Sequence, residues 1–248
     1  MSVTFTEARG LVARGDLAGN NTFDVLVAVA RRGSVGDRDQ ARELLIRLLA
    51  RRNKIPPGAD GLLQALVREH GLYPYLRDVV ELSVADRLAY EAHRPESMTD
   101  DRIVFHTEQA LVYERLLAGE NVVLSAPTSF GKSLVVDAIL ARQDFRNAAV
   151  VVPTIALMDE CRRRMSRLDH KYKIVTHGSQ ALEARNLFVM TQERLLEVRE
   201  LPPLDFFVID EFYKLDPAHS DERSNRLNIV FHRLLNTGAQ YYLLVLRN

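Results

Sequence analysis

The run Asn121-Val-Val-Leu-Ser-Ala-Pro-Thr-Ser-Phe-Gly-Lys-Ser133 limits the possible folds more than any other stretch of this chain. Val122 to Leu124 is an apolar segment of the length of a buried strand. A loop from Ala126 to Gly131 follows, and Lys132 and Ser133 then open an amphipathic stretch, Leu134 to Arg142, with helical spacing. A strand, a loop and a helix with Gly-Lys-Ser at the turn form a site for phosphate. Backbone N–H groups and the positive end of the helix dipole converge there on an anion. Thr128, Ser129, Phe130 and Gly131 supply the loop, the Lys132 ammonium reaches outer phosphates, and the Ser133 hydroxyl suits Mg²⁺. Ala126 stands where the general pattern has its first glycine. Such a string also arises by chance in ordinary loops, but here both flanking elements are of the required type.

The 248 residues suffice for one large domain or two smaller ones, and a hydrophobic fraction of 47% can fill a core. Lysines plus arginines number 33, as do aspartates plus glutamates, so no global basic field marks a nucleic-acid partner, although a local basic face stays open. One cysteine, Cys161, rules out a disulfide framework or a thiolate metal cluster within the chain. The start lacks signal-peptide character and no apolar run approaches membrane-spanning length. The expectation is a cytoplasmic protein without a membrane partner.

Residues 1 to 100 read as a helical accessory domain. Phe23, Leu26, Val27 and Ala30 repeat at helical spacing behind Thr22 as a cap, and Asp37 is placed to cap a helix carrying Leu44, Leu45, Leu48 and Leu49. A further helix carries Leu62, Leu63, Leu66 and Val67, and Ser83 caps another through Tyr90. His70 and His93 are isolated and read as surface or capping groups. Polar residues 94–102 are the candidate linker. From residue 101 onward the pattern alternates. After a helix from His106 to Ala118 and the phosphate loop come strands at Ala148–Val152, Tyr172–Thr176, Leu187–Met190, Phe206–Ile209 and Tyr241–Leu246, with helical segments after the first, the third and the fourth. This rhythm predicts an α/β domain with a mostly parallel sheet, whose ligand binds at the carboxyl ends of the strands.

The second chemical element is Val208-Ile209-Asp210-Glu211, an apolar strand that delivers two acids to the same sheet edge as the loop. Asp210 is placed to complete Mg²⁺ coordination with Ser133, and Glu211 to orient or deprotonate a water attacking the γ-phosphate. Lys132, Asp210 and Glu211 are thus the catalytic candidates and ATP-Mg²⁺ the expected cofactor. The bland alternative is a pair of exposed acids at a strand end.

These segments resemble the first motor domain of superfamily 2 helicases, a RecA-like P-loop fold, over roughly residues 103–246. Ala126 to Ser133 is similar to motif I, with Ser129 at its middle glycine. Val151-Val-Pro-Thr-Ile-Ala-Leu157 resembles motif Ia, Thr191-Gln-Glu-Arg194 motif Ib, and Asp210-Glu-Phe-Tyr213 stands at motif II without the Ala-Asp or Ala-His ending. The resemblance implies an adenine contact at Gln109, whose amide both donates and accepts, with Phe105 either on the base or in the core. It also implies backbone contacts to DNA or RNA from Pro153, Thr154, Thr191 and Arg194, alongside simple helix capping by the two threonines. The run Arg162, Arg163, Arg164, Arg167 reads as a solvated helix face. No motif III segment or second motor domain follows, so the chain reads as the N-terminal part of a larger helicase or translocase, impaired as an ATPase by itself. The Asp-Glu-Phe-Tyr-Lys variant and the helical extension resemble helicase subunits of bacterial antiviral defence such as Hachiman, which implies a partner subunit, for example a nuclease. The alternative is a regulatory module that holds ATP with little turnover.

Overall fold

The structure, a computed structural model, describes residues 3–76, 82–95, 103–127, 130–212 and 222–246. Most of the proposed linker lies outside these residues. The chain divides into two compact units, the first including residues up to Glu108 and the second running from Gln109 onward.

The first unit is helical. Its elements are α1 (Phe5–Arg14), α2 (Asn21–Ser34), α3 (Arg38–Leu49), α4 (Asp60–Glu69) and α5 (Val84–Ala92). Helix α1 starts at a reciprocal capping box. The Thr4 hydroxyl accepts the Glu7 N–H, and the Glu7 carboxylate accepts the Thr4 N–H. Sequence reading passed over this helix, although Thr4-x-x-Glu7 is its signature. In α2 the predicted cap is displaced. Asn20 holds the cap position, and Thr22 lies inside the helix with its buried hydroxyl donating to the Leu17 carbonyl at 2.6 Å. The buried face follows Val25, Leu26 and Val29, leaving Phe23 and Val27 partly exposed. Asp37 sits at the cap of α3 without a capping bond, its carboxylate paired instead with Arg32 at 2.8 Å. Leu44, Leu45, Leu48 and Leu49 are buried as predicted, and the Ser83 cap of α5 accepts the Asp86 N–H. His93 ends α5 and stacks on Tyr73, with ring centroids 3.9 Å apart. Of the two readings for His70, the structure shows the capping one, at the C-cap of α4. It is buried at the end of α4, and burial pushes its pKa below the ordinary histidine value. Phe105 is buried, 1% exposed.

The second unit is a parallel six-stranded sheet with helices, as the alternating pattern predicts. Helix α6 (Thr107–Leu117) leads to β1 (Val122–Ala126), followed by α7 (Lys132–Arg142), β2 (Asn147–Val152), α8 (Ile155–Met165), β3 (Lys173–Val175), β4 (Asn186–Thr191), α9 (Gln192–Glu197), β5 (Phe206–Ile209), α10 (Glu222–Leu235) and β6 (Gln240–Leu246). Every strand pair is parallel, in the spatial order β1-β6-β5-β2-β4-β3. Every residue of β2, β4 and β5 is buried, as expected for strands covered on both faces. Edge strand β1 differs, with Val123 59% exposed.

On one face Ala149, Val151, Phe188, Met190, Phe207, Ile209 and Leu243 pack with Leu227, Val230 and Leu234 of α10. The chain leaves β1 for β2 and only later fills the two positions between them with β5 and β6. That order puts β1 and β5 on either side of β6, so the loop after β1 and the acids after β5 emerge close together at the carboxyl edge. Truncating the fully buried ring of Phe207 to alanine is expected to lower unfolding stability by about 3–5 kcal/mol. Urea denaturation checks this, and a change under about 1 kcal/mol would contradict the described core.

Candidate nucleotide and nucleic-acid sites

Helix α7 begins at Lys132 itself, two residues before the apolar spacing from Leu134. Its cap is Gly131, in the left-handed region at φ 74°. A Cβ there would lie 2.6 Å from Nε2 of Gln109, so both backbone conformation and space call for glycine. Gln109 is 4% exposed, and its Nε2 donates to the Phe130 carbonyl at 2.6 Å. The predicted adenine contact is therefore also a brace beneath the phosphate loop. Thr128 and Ser129 lie outside the described residues.

The Lys132 side chain folds back along the loop. Its Nζ donates to the carbonyls of Ala126 at 2.8 Å and Pro127 at 3.3 Å. Burial lowers its pKa, and the charges of Asp210 and Glu211 work in the opposite direction. Burial likewise raises the Asp210 carboxyl above the usual range. The Glu211 N–H, which donates to Asp210 Oδ1 at 3.0 Å, and the cations of Lys132 and Arg164 oppose that rise. Glu211 adopts φ 58°, the only positive φ of a non-glycine residue among the described residues. Next to it, Phe212 meets Phe231 of α10 edge-on, with centroids 5.1 Å apart. Gly131, Lys132, Ser133 and Asp210 line one cavity of about 170 Å³. The sheet thus brings loop and acid together as the strand order requires.

Arg164 and Cys161 line the same cavity. The expectation of a solvated arginine face needs correction here. Arg164 Nε donates to Asp137 Oδ1 at 2.9 Å, and Arg167 donates to the other carboxylate oxygen. Asp137 lies on α7 and is 2% exposed on its side chain, with burial raising its carboxyl pKa against the pull of both guanidiniums. A signal existed in the sequence, since Asp137 is a lone acid within an apolar run and needs a partner once buried. Arg162 and Arg163 are exposed as expected. Burial pushes the Cys161 thiol up to about 11, so it is not a nucleophile at neutral pH.

Pro153, Thr154, Thr191 and Arg194 all line a second cavity, of about 480 Å³. Both threonines cap helices. Thr154 accepts the Leu157 N–H at 3.2 Å, and Thr191 accepts the Arg194 N–H at 3.5 Å. The Arg194 guanidinium donates to the Thr176 carbonyl at 3.0 Å. A third wall, absent from the sequence-based set, comes from Glu222, Arg223 and Arg226 of α10.

Comparison with known proteins fits this geometry. Residues 106–244 match the family described as DEAD/DEAH box helicase. The chain belongs to that family. Residues 1–87 match the family described as the anti-bacteriophage protein B N-terminal domain. Anti-bacteriophage protein B of Escherichia coli (strain K12) is 40% identical over 216 residues, covering 83% of this chain and 29% of that relative. A Helicase POLQ-like protein of Caenorhabditis elegans is 36% identical over 63 residues, 24% of this chain and 7% of that relative. The chain therefore spans less than a third of the length of these relatives. Among the described residues no helix is long and apolar enough to cross a membrane.

Gly131→Ala is expected to destabilise the domain by about 1–3 kcal/mol through the left-handed φ and the contact with Gln109. In a Gln109→Ala background the steric share should vanish, leaving about 1–2 kcal/mol. A double-mutant cycle by thermal unfolding checks it, and strict additivity would contradict the described contact.

Proposed function

We propose that this helicase-family domain binds ATP-Mg²⁺ at the first cavity and the backbone of a DNA or RNA strand at the second, as the first motor domain of a superfamily 2 machine. One observation carries the reading: of the residues expected to hold nucleotide, Gly131, Lys132, Ser133 and Asp210 line one cavity, and the four expected to touch a strand line another.

The residues present suit a magnesium nucleotide. Ser133 is exposed at the cavity, which the carboxylates of Asp210 and Glu160 also line. Among the described residues no group of three or more metal-ligating side chains forms a cage. Mg²⁺ needs no such cage, because it accepts one or two protein oxygens together with phosphate and water. Ser133 and Asp210 would hold the ion, which when bound would neutralise phosphate charge. Lys132 exchanges the carbonyls of Ala126 and Pro127 for phosphate oxygens, a stronger charge-assisted pairing for a desolvated ammonium. The cradle of Gly131, with Phe130, Thr128 and Ser129, presents backbone donors to the phosphates. Gln109 meets the adenine with an amide already anchored to the loop. Glu211 holds the proton-accepting position for the attacking water. Hydrolysis coupled to strand movement requires a second motor domain, and a partner subunit such as a nuclease is part of the proposed assembly. The likeness to anti-bacteriophage protein B supports a role in defence against phage.

The test is ATP binding and turnover by the full protein, with and without single-stranded and duplex DNA or RNA. Lys132→Ala is expected to weaken ATP binding by about 2–5 kcal/mol. Glu211→Gln is expected to keep binding and slow turnover by about 10²- to 10⁴-fold. Wild-type ATP affinity in Lys132→Ala would sink the loop assignment, and undiminished turnover in Glu211→Gln would sink the role given to that acid.

A further inference from the structure

The strand groove has three arginines, and they are not equivalent. Arg194 is committed to the Thr176 carbonyl and lies against Met158 Sδ, so it closes the end of β3 as well as facing the groove. Arg226 is paired with Glu222 one helical turn earlier on α10. Arg223 is exposed, and among the described residues it has no hydrogen-bond or ion-pair partner. Two carboxylates, Glu193 and Glu222, line the same groove. Glu193 accepts a hydrogen bond from Gln192 Nε2 at 3.0 Å. The three guanidiniums thus face two carboxylates, and the groove carries only a small positive excess.

We propose that Arg223 is a phosphate-binding residue of this groove, and that Glu222 restrains strand affinity by holding Arg226 in an internal ion pair. The inference rests on the nucleic-acid reading above and adds α10 as a third wall to it. A guanidinium presents a planar fork of donors that fits phosphate oxygens, and an exposed unpaired one gives up little on binding. Arg223 and Arg226 are three residues apart, so they project from the same side of α10. On that face Arg223 is ready for a phosphate, and Arg226 becomes available only when the strand competes it away from Glu222. The contact is with the backbone, so it is independent of base sequence.

The experiment measures binding of a fluorescein-labelled single-stranded oligonucleotide, as DNA and as RNA, to the full chain over a range of salt concentrations. Arg223→Ala should weaken binding for every sequence tried and lower the log–log salt slope by about 0.7, the value for one lost phosphate contact on a single strand. Glu222→Gln should do the opposite, tightening binding and steepening the slope by a similar amount, because Arg226 is released and a repelling carboxylate removed. Loss of structure cannot mimic a gain in affinity, which keeps the second variant decisive, and equal melting temperatures would show that both variants fold. An unchanged slope for Arg223→Ala, or weaker binding by Glu222→Gln, overturns the proposal while leaving strand binding itself intact. Absence of binding by the wild-type chain at low salt overturns the nucleic-acid reading and this inference with it.

Discussion

A sheet whose strands all run the same way has all its carboxyl ends at one edge, and the geometry of this domain follows from that constraint. Parallel strands need long crossovers, and helices occupy most of them here, while β3 and β4 are joined without one. Burial on both faces in turn demands the unbroken apolar runs of β2, β4 and β5. Polar groups collect at the carboxyl edge: the loop after β1, the caps Thr154 and Thr191, and the acids after β5. Placing β6 between β1 and β5 brings Lys132 and Asp210 to one cavity without bending either strand.

One ion-pair cluster joins the helices that start beside the two cavities. Asp137, on the helix that starts at Lys132, is clasped by Arg164 and Arg167 near the end of the helix that starts after Thr154. A buried ion pair contributes little net stability, because desolvation offsets the attraction. Breaking it is costly when an uncompensated charge is left behind, although guanidiniums that are 30% and 40% exposed can recover some hydration. The clasp therefore fixes the relative position of α7 and α8 more than it adds to their adhesion. Its Arg164 also lines the cavity at Lys132 and lowers the charge cost at Asp210. The left-handed backbone of Glu211, held between the hydrogen-bonded Asp210 and the packed Phe212, is strained in the same region.

Much of the architecture was legible because it follows from periodicity. The strands from Val122 to Leu246 and the helices between them lie within a few residues of their predicted places, since runs of valine, isoleucine and phenylalanine bounded by polar turns admit few alternatives. Errors arose where two signals compete over a short span. Thr22 is a good capping residue by type, yet Asn20 takes the position and Thr22 turns inward to Leu17. Phe23 and Val27 share a helical spacing with Leu26, but the neighbouring helices select the face of Val25, Leu26 and Val29. His70 reads as a surface or capping group, and the structure makes it a buried C-cap.

By itself, the sequence determined the class of fold and the local chemistry. A glycine before Lys132, a hydroxyl after it and two acids at the end of an apolar strand are properties of short segments, set by sterics, donors and charge. Only the tertiary structure decided which of these segments meet. Residues from three separated stretches, near 153, 191 and 223, line one groove. Two arginines of a seemingly solvated run turn inward to Asp137. Gln109 supports the loop it was expected to act beside. The physical reason is the same in each case: a side chain's partner is set by burial and strand order, which act across distances in sequence that no local pattern records.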